Sequence, residues 1–351
     1  MQAGLLLLAA ALALAMPPRA SSEDAAVANY RGVIAVDKVG NVIRFLDPLL
    51  LLETAQLVPS EKAVHELAIS IDRNTAYVPL YGSGVYGAND TPNNKILIVN
   101  LQSRQVSGVI DLGSFLAPHG MVATRGGKLW VVCDLANKLL LIDPAARAIE
   151  AAYDVPGKGA HFLALLPDES KLYISNKESA AQVFDTRERV FTAAIASGNP
   201  AITSGNGSGF EGLAVTPDGR RVVIADNDAS ALHIIDTSTD LEVARVPLRD
   251  IAFTNAKRSR LVKLAFSPNG RWLVATAYAT GQAWIVDSRN YANQKTVPVA
   301  KGPQGIAFDP DGKSFIVSSH DDGVLTRVDL RTGKPVAVYD GGTGIEVLAF
   351  Y

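Results

Sequence analysis

The chain has 351 residues, of which 48% are hydrophobic and 19% are charged, and its formal net charge is −2. This length and composition allow a large buried core. The near-neutral charge argues against nucleic acid as the main partner. The single cysteine, Cys133, excludes an intramolecular disulfide.

The first element along the chain is an apolar run, LLLLAAALALA at residues 5–15, which small and polar residues follow. The run is too short to span a membrane comfortably and is typical of a secretory signal peptide, although no Lys or Arg precedes it. We predict a signal peptide within residues 1–20 and a periplasmic or secreted protein. No second apolar run of membrane length follows, so we expect a chain that is not embedded in a membrane.

The rest of the chain repeats a pattern of four short β-type runs. Its clearest marker is a turn between the first two runs, seen as TPDG at 216–219, SPNG at 267–270 and DPDG at 309–312. Pro, Asp, Asn and Gly favour tight turns. Helical periodicity is essentially absent. Repeated units of four strands are typical of a β-propeller, so we predict an all-β fold.

The number of blades follows from the residue that begins the first strand of each unit. This position recurs at similar intervals: His65, His119, His161, Glu211, Val262, Gln304 and Glu346. The last unit has only one strand before the chain ends, whereas residues 32–57 supply three strands without a first. We predict that the C-terminal strand pairs with the N-terminal strands. This closes a ring of seven blades without an open sheet edge, in one domain of residues 30–351.

Three phrases in these repeats, AYVPLYG, LYISNKESAAQVFD and VTPDGRRVVIAD, resemble those of the YVTN-repeat, YncE-like propellers of bacteria. The resemblance covers residues 30–351 and implies the seven-bladed fold and a periplasmic setting. Related propellers include binding proteins of unknown role, lactonase-type hydrolases, a metal-dependent lyase, the heavy chain of amine dehydrogenases and the copper-binding propeller of nitrous oxide reductase. No catalytic motif of these proteins is matched here, so the resemblance implies no site residue.

The long connections of the chain indicate which face of the ring carries function. Residues 81–94 form a long loop between a second and a third strand, and residues 197–209 and 248–260 are long crossovers between blades. Propeller connectivity brings all three to the face on which each first strand begins. Long loops on a rigid scaffold are where binding sites usually lie. We therefore expect a site, or a surface for a protein partner, on this elaborated face.

Three of the five histidines, His65, His119 and His161, begin first strands on consecutive blades, and Glu211 and Glu346 hold the same position on two other blades. Imidazole and carboxylate groups that converge from separate strands are typical ligands of zinc, copper and related ions. We predict that these five residues bind a divalent transition metal of the copper or zinc class, or a small molecule, at the axial mouth. In the alternative, the imidazoles follow the regular alternation of side chains along a strand and point into the spaces between blades, where they only fill space as polar side chains.

We expect four further residues to line the same pocket. Gln304 continues the ring of polar first positions, Tyr81 and Tyr86 belong to the long loop, and His320 lies in a loop of the elaborated face. The tyrosines could stack on a ligand or simply hold the loop in place. His233 alternates with apolar neighbours, which indicates a surface or inter-blade residue.

Three functions are compatible with these patterns. The first is an exported binding or accessory protein with a His/Glu-lined axial pocket. The second is a metal-dependent hydrolase or lyase, lactonase-like, that uses the same site, and the third is a protein-interaction scaffold. The sequence reveals no nucleophile or base with a positioned partner, which favours the first function over the second.

Overall fold

The structure is a computed structural model. It describes residues 30–196, 209–227, 229–249 and 260–351. Within these residues, 28 strands form seven four-stranded sheets, and a 3-10 turn at Tyr278–Thr280 is the only helical element. No helix in the described ranges combines the length and apolarity needed to cross a bilayer. The predicted signal peptide lies outside the described residues, as do most of the 197–209 crossover and much of the 248–260 crossover.

Each sheet is one blade. Blade 1 combines both ends of the propeller, in the order β28, β1, β2, β3. Its strands are β1 (Val33–Asp37), β2 (Val42–Leu46), β3 (Glu53–Leu57) and β28 (Ile345–Phe350). Blade 2 contains β4 (Ala68–Ile69), β5 (Thr75–Gly82), β6 (Pro92–Asn100) and β7 (Gln105–Asp111). Blade 3 contains β8 (Pro118–Ala123), β9 (Leu129–Cys133), β10 (Lys138–Asp143) and β11 (Ala148–Asp154).

The remaining blades follow in chain order. Blade 4 contains β12 (Ala160–Leu165), β13 (Lys171–Asn176), β14 (Ala181–Asp185) and β15 (Val190–Ile195). Blade 5 contains β16 (Phe210–Val215), β17 (Arg221–Asp226), β18 (Ala231–Asp236) and β19 (Leu241–Pro247). Blade 6 contains β20 (Leu261–Phe266), β21 (Trp272–Ala277), β22 (Gln282–Asp287) and β23 (Gln294–Pro298). Blade 7 contains β24 (Pro303–Phe308), β25 (Ser314–Ser319), β26 (Val324–Asp329) and β27 (Lys334–Asp340).

The ring closes through blade 1, as the sequence predicts. The C-terminal strand β28 pairs antiparallel with β1, so that Ala349 lies opposite Ile34 and Leu348 opposite Ala35. The final residue, Tyr351, is buried and donates its backbone N–H to the carbonyl of Gly32 at 3.0 Å. The predicted fold, an all-β propeller of seven four-stranded blades, is confirmed.

The core lies between neighbouring blades, and burial is highest in the middle strands of each blade, since the innermost strand β28 contains half-buried residues. Every residue of β1 is buried, whereas most of the outer strand β19 is exposed. One cluster joins Ile43 and Phe45 of blade 1 to Val78 and Leu80 of blade 2. Burying an aliphatic or aromatic side chain of this size stabilises the fold by about 1.5–3 kcal/mol.

A β-bulge interrupts the innermost strand of every blade. In blade 3, Pro118 lies opposite Cys133 but Met121 lies opposite Val131, so β8 carries one extra residue. Equivalent shifts fall at the same place in the other six blades: Val64/Ala68, Ala160/Leu163, Phe210/Leu213, Leu261/Leu264, Pro303/Ile306 and Ile345/Val347. Such bulges break the alternation of a strand and re-aim its side chains. The bulged position is the one that begins each repeat, which is where the candidate histidines lie.

Candidate functional site

The three histidines of the repeat position lie together at the axial mouth. The ring centroids of His65 and His119 are 4.6 Å apart, and those of His119 and His161 are 3.7 Å apart. All three side chains are buried. The rings therefore form one column instead of entering separate spaces between blades, and the bulges explain why strict alternation gives the wrong direction here.

His161 lies between two carboxylates. Its Nδ1 is 2.9 Å from Asp134 Oδ2, and its Nε2 is 3.3 Å from Glu211 Oε1. Burial and the charge of Lys177 lower the pKa of His161, but the two carboxylates outweigh them and raise it above the ordinary value. Burial also disfavours ionised Glu211, yet Lys177, 3.0 Å away, and His161 bring the pKa of Glu211 down to about 2. The two carboxylates thus hold the His161 ring from both of its nitrogens.

His119 is a neutral imidazole within the column. Its Nδ1 donates to the backbone carbonyl of His161 at 3.0 Å. Burial lowers the pKa of His119 well below its ordinary value, and the neighbouring His161 and His65 lower it further. A neutral imidazole that donates from Nδ1 keeps its lone pair on Nε2, the atom through which such a residue binds a metal ion.

His65 is oriented by Glu346, whose Oε2 contacts its Nδ1. The other oxygen of Glu346 lies 3.6 Å from Lys38 Nζ, 3.8 Å from His320 Nε2 and 3.4 Å from Gln304 Nε2. Burial alone would raise the pKa of Glu346, but His65 and Lys38 lower it to about 2. Glu346 is thus an ionised carboxylate that several polar groups surround at the mouth.

Two residues that sequence reasoning did not select lie directly beside this column. Glu66 follows His65 in blade 2, and both its oxygens accept from Lys263 Nζ of blade 6, at 2.6 and 2.5 Å. This ion pair joins blades on opposite sides of the ring, and the Lys263 ammonium lies 4.1 Å from the ring centroid of Phe162. Sequence patterns do not indicate these residues, because in a regular strand neighbouring side chains point to opposite faces. Here the bulge makes two neighbouring positions face the channel.

The side chains that could ligate a metal fall into two overlapping groups. The ligand atoms of His65, Glu66 and His119 lie within 4.8 Å of one another, as do those of His119, Asp134 and His161. Of the five predicted ligands, the three histidines belong to these groups. Glu211 and Glu346 contact His161 and His65 instead, as partners of the imidazoles.

The two tyrosines of the predicted pocket pack against the histidine rings. Tyr81 lies in β5, before the loop; it is buried, its ring is 4.7 Å from that of His65, and it donates to Asp134 at 3.0 Å. Tyr86 lies in the loop, and its hydroxyl donates to Glu178 at 2.7 Å. Its ring is 6.0 Å from that of His161, which confirms that the loop lies on the face of the histidines.

His233, interpreted as a surface or inter-blade residue, is fully buried within blade 5. Its Nε2 lies 3.2 Å from Asp226, and its Nδ1 contacts Glu242. Both acids belong to its own sheet, so this histidine is satisfied locally and takes no part in the axial site.

The axial mouth holds two adjoining chambers. The inner chamber, of about 100 Å³, is lined by the histidine column with Glu66, Glu211 and Phe162. The outer chamber, of about 650 Å³, lies above it and includes residues of the 81–94 loop. Six residues line both chambers, which makes them continuous: Lys38, Val85, Arg260, Tyr278, Gln304 and Glu346.

One wall of the outer chamber is an ordered set of aromatic and charged side chains. His320 Nδ1 donates to Asp321 Oδ1 at 2.9 Å, and the Tyr278 hydroxyl donates to the same oxygen. The Arg260 guanidinium lies 4.6 Å from the ring centroid of Tyr278. Burial and the Asp321 charge raise the pKa of Tyr278 to about 12, so this hydroxyl stays protonated.

Comparison with known proteins relates the chain to other propellers. Residues 172–350, slightly more than half of the chain, match the family described as cytochrome D1 heme domain. The uncharacterized protein YncE of Salmonella typhimurium is 22% identical over 293 residues, which cover 81% of this chain and 76% of that protein. The expected resemblance to YncE-like propellers is thereby confirmed.

Two further relatives are more distant in sequence. Protein NirF of Pseudomonas aeruginosa is 23% identical over 238 residues, which cover 64% of this chain and 57% of NirF. Among solved structures, the hydrazine synthase of Kuenenia stuttgartiensis superposes with a TM-score of 0.67 at 15% identity, over 81% of this chain and 88% of that one. The structural likeness concerns the fold alone.

Proposed function

The chain belongs to the cytochrome D1 heme domain family, and from that premise we propose that it is a binding protein whose outer chamber holds a tetrapyrrole. The ligand class is a planar, largely apolar macrocycle that carries carboxylates and a central metal ion. The inner chamber, at about 100 Å³, is too small for such a ligand. The outer chamber, at about 650 Å³, lies in the range of about 300–1,000 Å³ that is usual for cofactor-sized ligands.

The lining of the outer chamber fits both parts of a tetrapyrrole. Val39 and Val85 line it although 61% and 57% of their surface is exposed, so an apolar ligand would cover them. Lys38, Lys62 and Arg260 surround these apolar side chains and supply positive charge for carboxylates. Apolar walls with a few charged groups are the usual form of a cofactor site.

His320 is the observation that carries the proposal, because it is the residue suited to bind the central metal. Its Nδ1 donates to Asp321, which leaves the lone pair on Nε2 for coordination. Asp321 is in turn held by Tyr278, so the imidazole has a fixed orientation. A bound tetrapyrrole would supply redox or ligand-binding chemistry; the residues of this chain hold and orient it and keep its face away from water.

Export is part of the same proposal. The apolar run at residues 5–15 and the small residues after it suit a cleaved signal peptide, which would deliver the propeller to the periplasm or the exterior. N-terminal sequencing of the protein recovered from a periplasmic fraction tests this directly. An uncleaved N-terminus in the cytoplasmic fraction would contradict it.

A titration with matched variants tests the chamber. We expect the purified chain to bind one equivalent of an iron porphyrin, with a saturable shift of the porphyrin absorption band. Val39→Trp should fill the chamber and abolish that shift. Val338→Trp is the control, because Val338 has the same exposed fraction, 61%, but lies on the outer strand β27. Equal binding by both variants, or none by the wild type, would refute the proposal.

A further inference from the structure

A second site lies beneath the tetrapyrrole chamber. We propose that His65, Glu66 and His119 bind one divalent transition-metal ion of the zinc or ferrous-iron class, held by the Nε2 atoms of both imidazoles and by the carboxylate. This site is separate from the tetrapyrrole, takes the metal ion by itself and uses Glu66, which no pattern in the sequence indicates.

The orientation of the two imidazoles carries the proposal. The Nδ1 of His119 donates to the carbonyl of His161, and the Nδ1 of His65 contacts the carboxylate of Glu346. Metal-binding histidines almost always engage their second nitrogen in this way, because a carbonyl or carboxylate fixes the tautomer and the ring. In His119 Nε2 is then the coordinating atom, and in His65 the contact of Nδ1 with Glu346 leaves Nε2 for the ion.

The geometry of the group suits one ion. One nitrogen of each imidazole and one oxygen of Glu66 lie within 4.8 Å of one another. Metal bonds of about 2.0–2.2 Å require ligand atoms roughly 3–3.5 Å apart, so small rotations of the side chains complete the site. The rings of His65 and His119 are inclined by 70°, so they are not stacked and their lone pairs are not held parallel. Two imidazoles and one carboxylate with open positions are a ligand set of zinc and of non-heme iron.

The competing group of His119, Asp134 and His161 is less suited. Both nitrogens of His161 already face carboxylates, Asp134 at 2.9 Å and Glu211 at 3.3 Å. Coordination through His161 would break one of these contacts, so that Asp134 or Glu211 would lose this partner and keep Tyr81 or Lys177.

Lys263 competes with the proposed metal ion, because its ammonium donates to the Glu66 carboxylate that the ion would bind. Nζ lies 2.6 and 2.5 Å from the two oxygens of Glu66, in a half-buried position of the channel. A divalent ion would replace this positive charge. Removing the ammonium should therefore raise the affinity for the metal, whereas a purely structural ion pair predicts no gain.

The test uses the full chain, treated with a chelator and free of tetrapyrrole, and titrates it with Zn²⁺ and Co²⁺ by calorimetry and visible absorption. We expect one ion per chain and a Co²⁺ spectrum with nitrogen ligands. His65→Gln, Glu66→Gln and His119→Gln should each weaken binding by roughly tenfold or more. His320→Gln, the same change in the outer chamber, should alter the affinity by less than about threefold.

Lys263→Met keeps all three ligands and should bind the ion more tightly than the wild type. A gain in affinity cannot result from misfolding, so this variant tests the site even if the ligand variants fold poorly. Absence of binding by the wild type, an unchanged affinity in Glu66→Gln, or weaker binding by Lys263→Met would overturn the proposal. The metal alone is the probe, so failure of this site and failure of tetrapyrrole binding are distinguished.

Discussion

The imidazole rings of His119 and His161 stack, with centroids 3.7 Å apart and planes inclined by only 25°. The lone pair of an imidazole lies in the plane of its ring, so two nearly parallel rings cannot direct their lone pairs at the same ion. The stack therefore joins a neutral imidazole to one held between Asp134 and Glu211. In the proposed metal site, it separates the two ligands His65 and His119 from His161, which supports them.

The first prediction concerns this division of roles. His161→Gln should leave the Zn²⁺ affinity of the chain within about threefold of the wild type, although the melting temperature falls because Asp134 and Glu211 lose a buried partner. Calorimetric titration and thermal unfolding measure the two effects separately. A loss of affinity as large as that of His119→Gln would assign His161 to the ligands.

The second prediction tests the bulges that shape the axial mouth. A Cβ added at Gly212 would lie 2.3 Å from the backbone oxygen of Val262, so Gly212→Ala must displace blade 6 from blade 5. We expect a loss of about 1–3 kcal/mol in the free energy of unfolding. Gly126→Ala is the control, since its nearest neighbour would be the Thr124 side chain at 3.8 Å. Urea denaturation that gave equal stabilities would contradict the close approach.

The third prediction concerns pH and the Asp37 carboxylate of blade 1. Burial alone would raise the pKa of Asp37, but Thr343, Gly40 and Arg44 donate to it and lower the pKa below its ordinary 3.8. A lowered folded-state pKa stabilises the fold above 3.8, and this contribution disappears as the pH falls through the folded-state value.

Asp37→Asn should therefore cost roughly 1–3 kcal/mol at neutral pH. The difference from the wild type should shrink as the pH falls from 5 towards 2. Denaturant unfolding at several pH values measures this difference. A difference that stayed constant or grew at low pH would show that ionised Asp37 does not hold blade 1 to the loop before β28.

The fourth prediction concerns closure of the ring. Deleting residues 345–351 removes the strand that pairs with β1 and exposes the buried edge of blade 1. We expect insoluble or rapidly proteolysed protein. Val336→Asp, a change at an exposed position of β27, should leave the solubility and the melting temperature unchanged. Unaltered melting of the truncated chain would contradict the closure.

The sequence predicts the blades and their closure because tight-turn residues and apolar runs repeat along the chain, and the C-terminal strand β28 completes blade 1 as expected. It also identifies His65, His119 and His161 as neighbours, because repeats place equivalent residues around one axis. The blades, the ring closure and the grouping of the histidines follow from the repeat length and the order of the repeats, both of which can be read from the sequence.

The details of the site depend on features without such a pattern. Alternation along a strand cannot indicate that a bulge turns both His65 and Glu66 toward the channel. Lys263, about 200 residues away in the chain, meets Glu66 only because the ring closes. The local position of Tyr81 likewise suggested a loop residue, whereas β5 extends to Gly82 and buries its ring.

The central claim is that the outer chamber holds a tetrapyrrole through His320, and the absorption and electron paramagnetic resonance spectra of the iron-porphyrin complex test it most directly. The wild type should give the spectrum of an iron with a histidine ligand at one equivalent. His320→Gln should lose that ligand signature while His233→Gln keeps it, since His233 lies buried in blade 5. An identical spectrum for the wild type and His320→Gln would contradict the account.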